Sequence, residues 1–337
     1  MELRVLVESG VKAAILAATL ATGFAYLTLF ERRVLARIQS RIGPNRVGPL
    51  GLLQPAADGI KLFFKEELIP ARADTALFVL APVITVIPAL IILAVIPFGP
   101  DLQLLGLTIS QSVASGINVG VLYLLAVSSI AVYGIALAGW SSGNKYALLG
   151  GLRAAAQMVS YELALGLTFV IPILLAGSMS LKDIVDAQPG IGDWFVWKQP
   201  LGFLIMFIAS IAEINRAPFD LPEAEQELVA GFHTEYSGMK FALFFMAEYI
   251  KMIAVSVITV SFFFGGYWGP YVETFPILGP IYLVVKVVVM LFVIIWLRAT
   301  LPRLRYDRLM GLGWKILLPL ALLAVAWTAG YVVLVGG

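Results

Sequence analysis

The residues of this chain that could do chemistry are carboxylates in places where a membrane helix should have none. Counted from the nearer end of its apolar segment, Glu162 is about eight residues deep and Glu248 about nine, which at 1.5 Å per residue puts both roughly 12–14 Å into a bilayer. Glu213 is a few residues above the end of a third segment. Charges at such depths cost roughly 2.5–3.5 kcal/mol on insertion scales and mark ion or proton paths by default.

Two lysines extend this series of carboxylates. Lys251 lies a little deeper than Glu248, and Lys286 lies at about mid-depth of another apolar segment. Carboxylates that run inward from the surface and then give way to lysines predict protons as the cargo. A structural ion pair between Glu248 and Lys251, three residues apart, is the alternative, but it leaves Glu162 and Glu213 unexplained.

An acidic stretch at 213–235 separates two of the apolar segments. Asp220 followed by Glu223 has the form of a helix cap, and Gly231 is a plausible helix end. Glu223 and Glu227, four residues apart, share one face of that short helix, and like charges at this spacing raise each other's proton affinity. A solvated acidic loop is the alternative interpretation. The carboxylates inside the neighbouring segments favour the proton path.

The elements that must position these residues are membrane helices. Of 337 residues, 60% are hydrophobic and 13% are charged, against about 45–50% and about 25% in soluble proteins. The apolar runs are continuous, which favours helices over barrel strands, and a span needs roughly 20 such residues. We predict an all-α integral membrane protein forming a single membrane domain, residues 1–337. Its eight predicted spans are 11–30, 76–98, 117–140, 154–177, 200–217, 239–265, 275–297 and 314–335.

The distribution of basic residues predicts the orientation in the membrane. Eight Lys and Arg lie in the 31–75 loop and four in 298–313, whereas 99–116 and 266–274 have none. Basic loops stay inside, so we predict both termini outside a bacterial-type cytoplasmic (inner) membrane. The predicted inner loops are 31–75, 141–153, 215–238 and 298–313. One comparison breaks the pattern, because 215–238 has fewer basic residues than 178–199.

The first inner loop contains an amphipathic segment at 52–66. Apolar side chains recur there at helical spacing, and polar ones at 54, 58, 61 and 65 take the opposite face. This pattern predicts a helix that lies along the membrane surface or on a partner. A basic loop that merely follows the positive-inside rule is the alternative.

Several kinds of site are excluded by composition. The chain has no Cys and one His, His233, so thiolate-held iron–sulfur clusters, His-paired haem and multi-His metal sites are not possible. The glycines at 43–48 lack the Gly-Lys-Ser/Thr ending of a phosphate-binding loop. Nothing in the sequence indicates nucleic-acid binding. We predict that this chain binds no cofactor and carries no electrons itself.

Two long stretches carry a resemblance to a known family. The first runs from Glu31-Arg32 through Gly43-Pro44-Asn45-Arg46-Val47-Gly48 to Lys65-Glu66. The second runs from Arg216 through Pro218-Phe219-Asp220-Leu221-Pro222-Glu223-Ala224-Glu225-Gln226-Glu227 to Phe232. Residues 241–249 and 303–307 also fit. Over nearly its whole length the chain resembles the H-subunit family of respiratory NADH:quinone oxidoreductase (complex I), known as NADH dehydrogenase subunit 1 in mitochondria.

The resemblance implies a place in a larger enzyme. It implies eight spans that join a proton-translocating membrane arm to a peripheral redox arm and form the membrane side of a quinone chamber. Quinone would be the substrate, and FMN and iron–sulfur clusters would belong to partner subunits. Partners would be the peripheral quinone-site and iron–sulfur subunits, neighbouring membrane-arm subunits and membrane lipid.

Individual roles also follow only from the resemblance. The residues implied to line or flank the quinone route are Arg32, Arg41 and Arg298. Those implied for the proton path are Glu162, Glu213, Glu225, Glu227, Glu235 and Glu248. Asp58 and Glu223 match the family too, and we group Asp58 with the quinone route and Glu223, Lys251 and Lys286 with the proton path.

Two other functions remain open at this stage. A membrane-bound hydrogenase uses a related ion-translocating subunit without quinone, and the intact second signature and the basic first loop favour the quinone enzyme. A stand-alone secondary transporter would show inverted repeats with broken helices, and the sequence has no such internal symmetry.

Overall fold

The computed structural model describes residues 2–104, 107–114, 117–221 and 229–335, and almost all of them belong to helices or to short connections. The helices are α1 (Glu2–Ile38), α2 (Gln54–Phe63), α3 (Thr75–Ile91), α4 (Gly120–Ser141), α5 (Lys145–Ala176), α6 (Leu181–Asp186), α7 (Phe195–Lys198), α8 (Pro200–Glu213), α9 (Gly238–Phe263), α10 (Leu278–Thr300), α11 (Tyr306–Gly311) and α12 (Leu318–Val335). A short antiparallel hairpin, β1 (Leu102–Leu104) and β2 (Leu107–Ile109), pairs Leu102 with Ile109.

Seven helical segments of the described chain are long and apolar enough to cross a membrane. They are Val7–Ile38, Thr75–Val95, Gly120–Ser141, Lys145–Ala176, Gly238–Phe263, Leu278–Thr300 and Tyr306–Leu334. The eighth candidate is a pair, Ile191–Lys198 and Pro200–Glu213, bent by 73° at the break. The fold is therefore the predicted all-α membrane protein, with seven spans, or eight if the bent pair counts as one.

The bounds predicted for the fifth span were wrong. The sequence predicted a helix over 200–217, whereas α8 ends at Glu213. At 1.5 Å per residue its 14 residues cover only about 21 Å, less than a bilayer core of about 30 Å. Asn215 adopts a left-handed backbone conformation with φ +60°, which an α-helix does not accommodate. The chain therefore turns at the helix end instead of continuing through residue 217.

The amphipathic helix predicted at 52–66 is confirmed as α2. The helix is shorter than predicted at both ends and covers Gln54–Phe63. A 3₁₀ turn at Pro49–Gly51 precedes it, and Phe64 is its C-terminal cap. Ile60, Phe63 and Phe64 are exposed. This apolar face is thus available to lipid or to another polypeptide.

Side-chain caps fix where two of the spans begin. The Asp74 side chain accepts hydrogen bonds from the backbone N–H groups of Ala76 and Leu77 at the start of α3. Asn144 accepts from the Tyr146 N–H at the start of α5. Such caps satisfy donors that have no partner within the helix.

The predicted inner loops contact one another at one end of the bundle. The Ser237 hydroxyl of the third loop donates to the Glu66 carbonyl of the first at 3.2 Å. The Leu304 N–H donates to the Pro218 carbonyl at 3.0 Å and joins the fourth loop to the third. The prediction that these loops share one side is therefore consistent with the fold.

The predicted outer loops meet at the opposite end. Lys182 binds Asp101 (Nζ to Oδ2, 2.6 Å), and this hydrogen bond raises the pKa of the lysine. Tyr267 donates to Asp186 at 2.5 Å. Gln188, fully buried, donates to the Ile184 carbonyl at 3.0 Å.

Small residues let neighbouring spans pack closely. A Cβ atom added to Gly139 of α4 would lie 2.6 Å from the Ala147 carbonyl oxygen and 3.0 Å from the Gly151 Cα of α5. Small residues at such crossings are how membrane helices gain packing contacts, because apolar burial gives little advantage in lipid.

We expect Gly139→Ala to destabilise the protein by about 1–3 kcal/mol, because the methyl group meets backbone on the facing helix. Gly166→Ala is the matched control, since its added Cβ would have only a Leu125 methyl group near it, at 3.9 Å. That change should be neutral or stabilising by up to about 1 kcal/mol. The apparent melting temperatures of the detergent-solubilised variants measure the difference. Equal melting temperatures would contradict the packing argument.

Candidate functional site

Glu213 and Lys251 form a buried ion pair in the middle of the bundle. Glu213 is the last residue of α8, and its Oε1 lies 3.0 Å from the Nζ of Lys251 on α9. The ammonium also donates to the Glu213 carbonyl oxygen at 3.1 Å. The side chains are only 5% and 14% exposed, so each charge compensates the other where water is scarce.

The alternative pairing of Glu248 with Lys251 was wrong. The two residues are one helical turn apart on α9, but Lys251 turns to Glu213 while Glu248 binds Arg216 (Oε1 to Nε, 2.5 Å). The partners come from the end of α8 and the turn after it. Tertiary packing therefore gives each α9 charge its own partner on a neighbouring segment.

Arg216 connects this site to two more helices, α1 and α10. Its Nη1 lies 3.6 Å from Oε1 of Glu31 on α1, and its guanidinium lies 4.4 Å from the centre of the Tyr249 ring. Arg298, near the end of α10, donates a hydrogen bond to the same Glu31 carboxylate. The Arg216 and Glu31 side chains are 6% and 4% exposed. Acid and base thus alternate from Arg298 through Glu31 and Arg216 to Glu248.

Glu162 lies on α5, beside the Glu213–Lys251 pair. The Ser129 hydroxyl of α4 donates to its Oε1 at 2.6 Å, and Ser128 also interacts with the carboxyl group. Glu162 is within electrostatic range of both Glu213 and Lys251. The structure therefore brings together the three carboxylates that the sequence placed inside different spans.

A cavity of about 60 Å³ runs between these groups, and Glu248, Glu213, Lys251 and His233 line it together with the rings of Phe232, Phe241, Phe244 and Phe245. A second cavity of about 20 Å³ lies on the other side of the Glu213–Lys251 pair and includes Ser128 and Ser210 in its wall. A water needs roughly 10–15 Å³ of such space, whereas pockets for drug-sized ligands span about 300–1,000 Å³. The cavities can hold a few waters, and they are too small for a quinone ring.

Glu235 lies at the end of the bundle where the predicted inner loops meet, and Asn144 binds it. The Asn144 amide donates to Glu235 Oε1 at 2.7 Å while its oxygen caps α5. Next along the chain, burial raises the pKa of Tyr236 to about 12, and its ring stacks on Phe78. Glu223, Glu225 and Glu227 lie in 222–228, outside the described residues.

Lys286 has a different environment from Lys251. Its ammonium donates to the carbonyl oxygens of Phe264, Gly266 and Trp268 at 2.7, 3.0 and 2.7 Å. It also lies 4.8 Å from the Trp194 ring centre. These contacts hold the turn after α9, at the end of the bundle opposite the basic loops.

The residues assigned to the quinone route occupy two places. Arg32 binds Asp58 of α2 (Nη1 to Oδ2, 2.6 Å) and remains half exposed, and Arg298 lies close by on Glu31. Arg41 donates to Gln39 at 2.7 Å and lines an open cavity of about 740 Å³ with Arg33, Arg37 and residues 42–45. Arg32 and Asp58 are thus in contact, Arg298 binds the residue that precedes Arg32, and Arg41 lies in a separate depression.

Two residues of the site had no role in the sequence analysis. Glu31 and Arg216 each belong to a matching stretch, yet both looked like ordinary loop charges. Arg216 is the one basic residue in an acidic stretch, and Glu31 directly follows an apolar run. Their positions in the sequence were the only indication that these two residues could matter. The fold shows that both side chains are buried. Among the described residues, no three His, Asp or Glu side chains are arranged to hold a metal ion.

Comparison with known proteins identifies the family of this chain. The model of the NADH dehydrogenase family matches residues 11–329. The chain is 54% identical over 312 residues to the NADH-quinone oxidoreductase H subunit of Thermomicrobium roseum, covering 90% of each chain. It is 54% identical over 319 residues to H subunit 2 of the same enzyme in Geobacter sulfurreducens, covering 95% of this chain and 94% of that one. It is 56% identical over 304 residues to H subunit 1 of Geobacter metallireducens, covering 90% of each. The chain therefore belongs to the H-subunit family of NADH-quinone oxidoreductase, as a multi-pass membrane component of that multi-subunit enzyme.

Proposed function

We propose that this chain forms the membrane side of a quinone chamber and couples quinone reduction to proton translocation through its buried carboxylates. The observation that carries the proposal is the water-sized cavity lined by Glu248, Glu213 and Lys251, with Glu162 beside it. The names of the relatives, which include quinone, support the quinone part. They favour it over the hydrogenase and transporter alternatives.

The proton path would run from the inner end of the bundle to the middle. Glu235, with Glu223, Glu225 and Glu227, would take protons near the surface, and Glu248 and the Glu213–Lys251 pair would pass them through the cavity towards Glu162. A carboxylate can serve as a relay when it can bind and release a proton during turnover. A proton that binds one of these carboxylates leaves the partner cation without its counter-charge, which favours passing the proton on.

The quinone route would lie by the Arg32–Asp58 pair and Arg298, with Arg41 flanking it. Reducing a quinone to a quinol takes two electrons and two protons. The electrons would come from partner subunits that hold FMN and iron–sulfur clusters, since this chain has no ligands for them. A guanidinium beside the head group can donate to a carbonyl oxygen and stabilise the negative charge that develops on it.

The two functions would communicate through Arg216. Glu31 lies between Arg298 on the quinone side and Arg216, and Arg216 reaches Glu248 on the cavity. A new negative charge near Arg298 would compete for these cations and thereby change how firmly Glu248 holds its proton. This alternating row is our proposed physical link between quinone chemistry and proton movement.

We place the chain in a bacterial-type cytoplasmic membrane with both termini outside and the basic loops inside. The absence of cysteine allows single-cysteine labelling. We expect Thr274→Cys, in an exposed outer loop, to react with an impermeant maleimide in intact spheroplasts. Lys145→Cys, also exposed, should react only after permeabilisation. Reaction of Lys145→Cys in intact spheroplasts would reverse the orientation.

Arg32→Ala tests the quinone route. We expect kcat/KM for quinone to fall about 10- to 100-fold, the range that corresponds to losing one hydrogen bond to a charged group. NADH oxidation by a soluble artificial acceptor should stay normal, because that reaction does not need the membrane site.

Lys61→Ala is the matched control for Arg32→Ala, since Lys61 also approaches Asp58, at 3.8 Å, but is more exposed. It should change quinone reduction little. Equal loss of quinone and artificial-acceptor activity in Arg32→Ala would point to failed assembly and contradict a role at the quinone.

Glu248→Gln and Glu213→Gln test the proton path. Glutamine keeps the size and the hydrogen-bonding capacity of the side chain but cannot bind and release a proton. We expect each variant to lose most quinone reductase activity together with proton movement, measured as quinone reduction and vesicle acidification. Glu273→Gln, in an exposed outer loop, should behave as wild type.

A charge-balanced variant separates proton transfer from ion pairing. Glu213→Gln leaves Lys251 as a buried unpaired charge, which is destabilising by itself. Glu213→Gln combined with Lys251→Met removes both charges and should assemble at wild-type amounts while remaining inactive. Recovery of coupled activity in this double variant would reduce the pair to a structural one.

A further inference from the structure

Gln157 is a fully buried polar side chain that belongs to none of the ion pairs of the site. It lies on α5, five residues before Glu162, and is 0% exposed. Its amide nitrogen donates to the Ala212 carbonyl at 2.8 Å, the Phe219 carbonyl at 2.7 Å and the Asn215 side-chain oxygen at 3.1 Å. All three acceptors lie in the segment 212–219, so one amide group bridges both ends of a single turn.

The turn at 212–219 contains two buried charged residues, Glu213 and Arg216, and both form ion pairs with residues of α9. Glu213 faces Lys251, and Arg216 faces Glu248 and Glu31. Its backbone includes Asn215 with φ +60°, a left-handed conformation that needs support from its surroundings. Small shifts of this turn would change both ion pairs together.

The contacts of Gln157 provide that support from a neighbouring helix. The last carbonyl groups of a helix have no partners within it, and Ala212 is next to the last residue of α8. One helical turn after Gln157 on the same face of α5, Tyr161 packs its ring 5.7 Å from the Phe219 ring. From the other side, the Leu304 N–H donates to the Pro218 carbonyl. Gln157 is the contact that reaches both ends of the turn.

We propose that Gln157 is a positioning residue, which holds the 212–219 turn so that Glu213 and Arg216 keep their registers with Lys251 and Glu248. The inference rests on the proposed function, because it concerns the geometry of that proton path. In this proposal Gln157 neither binds nor releases a proton. It sets the distances and orientations of Glu213 and Glu248, which do.

The test is Gln157→Met in the complete membrane-bound enzyme. Methionine has nearly the same length and volume but cannot donate a hydrogen bond. We expect kcat for quinone reduction per assembled enzyme to fall roughly 10- to 100-fold, the loss that a displacement of about 1 Å can cause. The KM for quinone should stay within about twofold, since Gln157 does not touch the quinone route. The pH profile of kcat should move, because the spacing of the ionisable pairs has changed.

Thr168→Val is the matched control on the same helix. Thr168 is also fully buried, but its hydroxyl donates only within α5, to the Leu165 carbonyl at 2.7 Å. The control removes a buried polar group without touching the turn, and it should keep the wild-type kcat and pH profile. The quinone reductase rate of each variant is divided by its artificial-acceptor activity and by the amount of assembled enzyme.

The outcomes separate positioning from plain stability. Wild-type kcat and pH profile in assembled Gln157→Met would overturn the proposal, and so would a smaller amount of enzyme with both quantities unchanged. If the methionine variant does not assemble, Gln157→Asn decides by the same criteria, because it keeps the amide on a side chain about 1.5 Å shorter. Full coupled activity in Glu213→Gln and Glu248→Gln would instead remove the proton path itself. Loss in those variants without loss in Gln157→Met would remove only the role of Gln157.

Discussion

The compensation of charge inside an apolar bundle is the constraint on which the rest of this structure depends. An isolated ion in such surroundings is costly, and it persists only when a partner and further hydrogen bonds compensate it. Glu213 has Lys251, Glu248 has Arg216, and Glu31 has Arg216 and Arg298. These residues lie on four helices and on the turn after α8, so the helices are held in register by the same charges that could move protons.

Breaking α8 early is what makes these pairings possible. A helix continuing to residue 217, as the sequence pattern suggested, would carry Glu213 and Arg216 one turn apart along the same straight rod. Because the chain turns after Glu213, the two charges reach different partners, Lys251 and Glu248. The chain turns through the left-handed Asn215, and the hydrogen bonds from Gln157 support that turn. Local backbone geometry thus sets the electrostatics of the site.

The sequence predicted more of the fold than of the site. Long apolar runs and loop charges are local patterns, so the helices, α2 and the grouping of the loops could be read directly. Ion-pair partners are not local: Glu248 and Lys251 are neighbours in sequence, yet Lys251 binds Glu213, 38 residues away. The sequence analysis also missed Glu31 and Gln157, because burial of a side chain depends on distant segments as well. Lys286 looked like part of the lysine series, and only its three carbonyl partners show its different setting.

The sizes of the cavities indicate where quinone binding and proton transfer would each take place in the proposed function. The interior offers room for a few waters beside Glu213 and Lys251, whereas Arg32 and Asp58 lie at the more exposed rim of the bundle. A quinone head group is too large for the interior cavities, so in the proposed function it stays at the rim while protons travel inward. In the part of the chain that the structure describes, the row of charges from Arg298 to Glu248 joins the two places. Electrostatic coupling through that row requires no movement of the quinone into the bundle, and it gives a physical reason for burying Glu31 and Arg216 together.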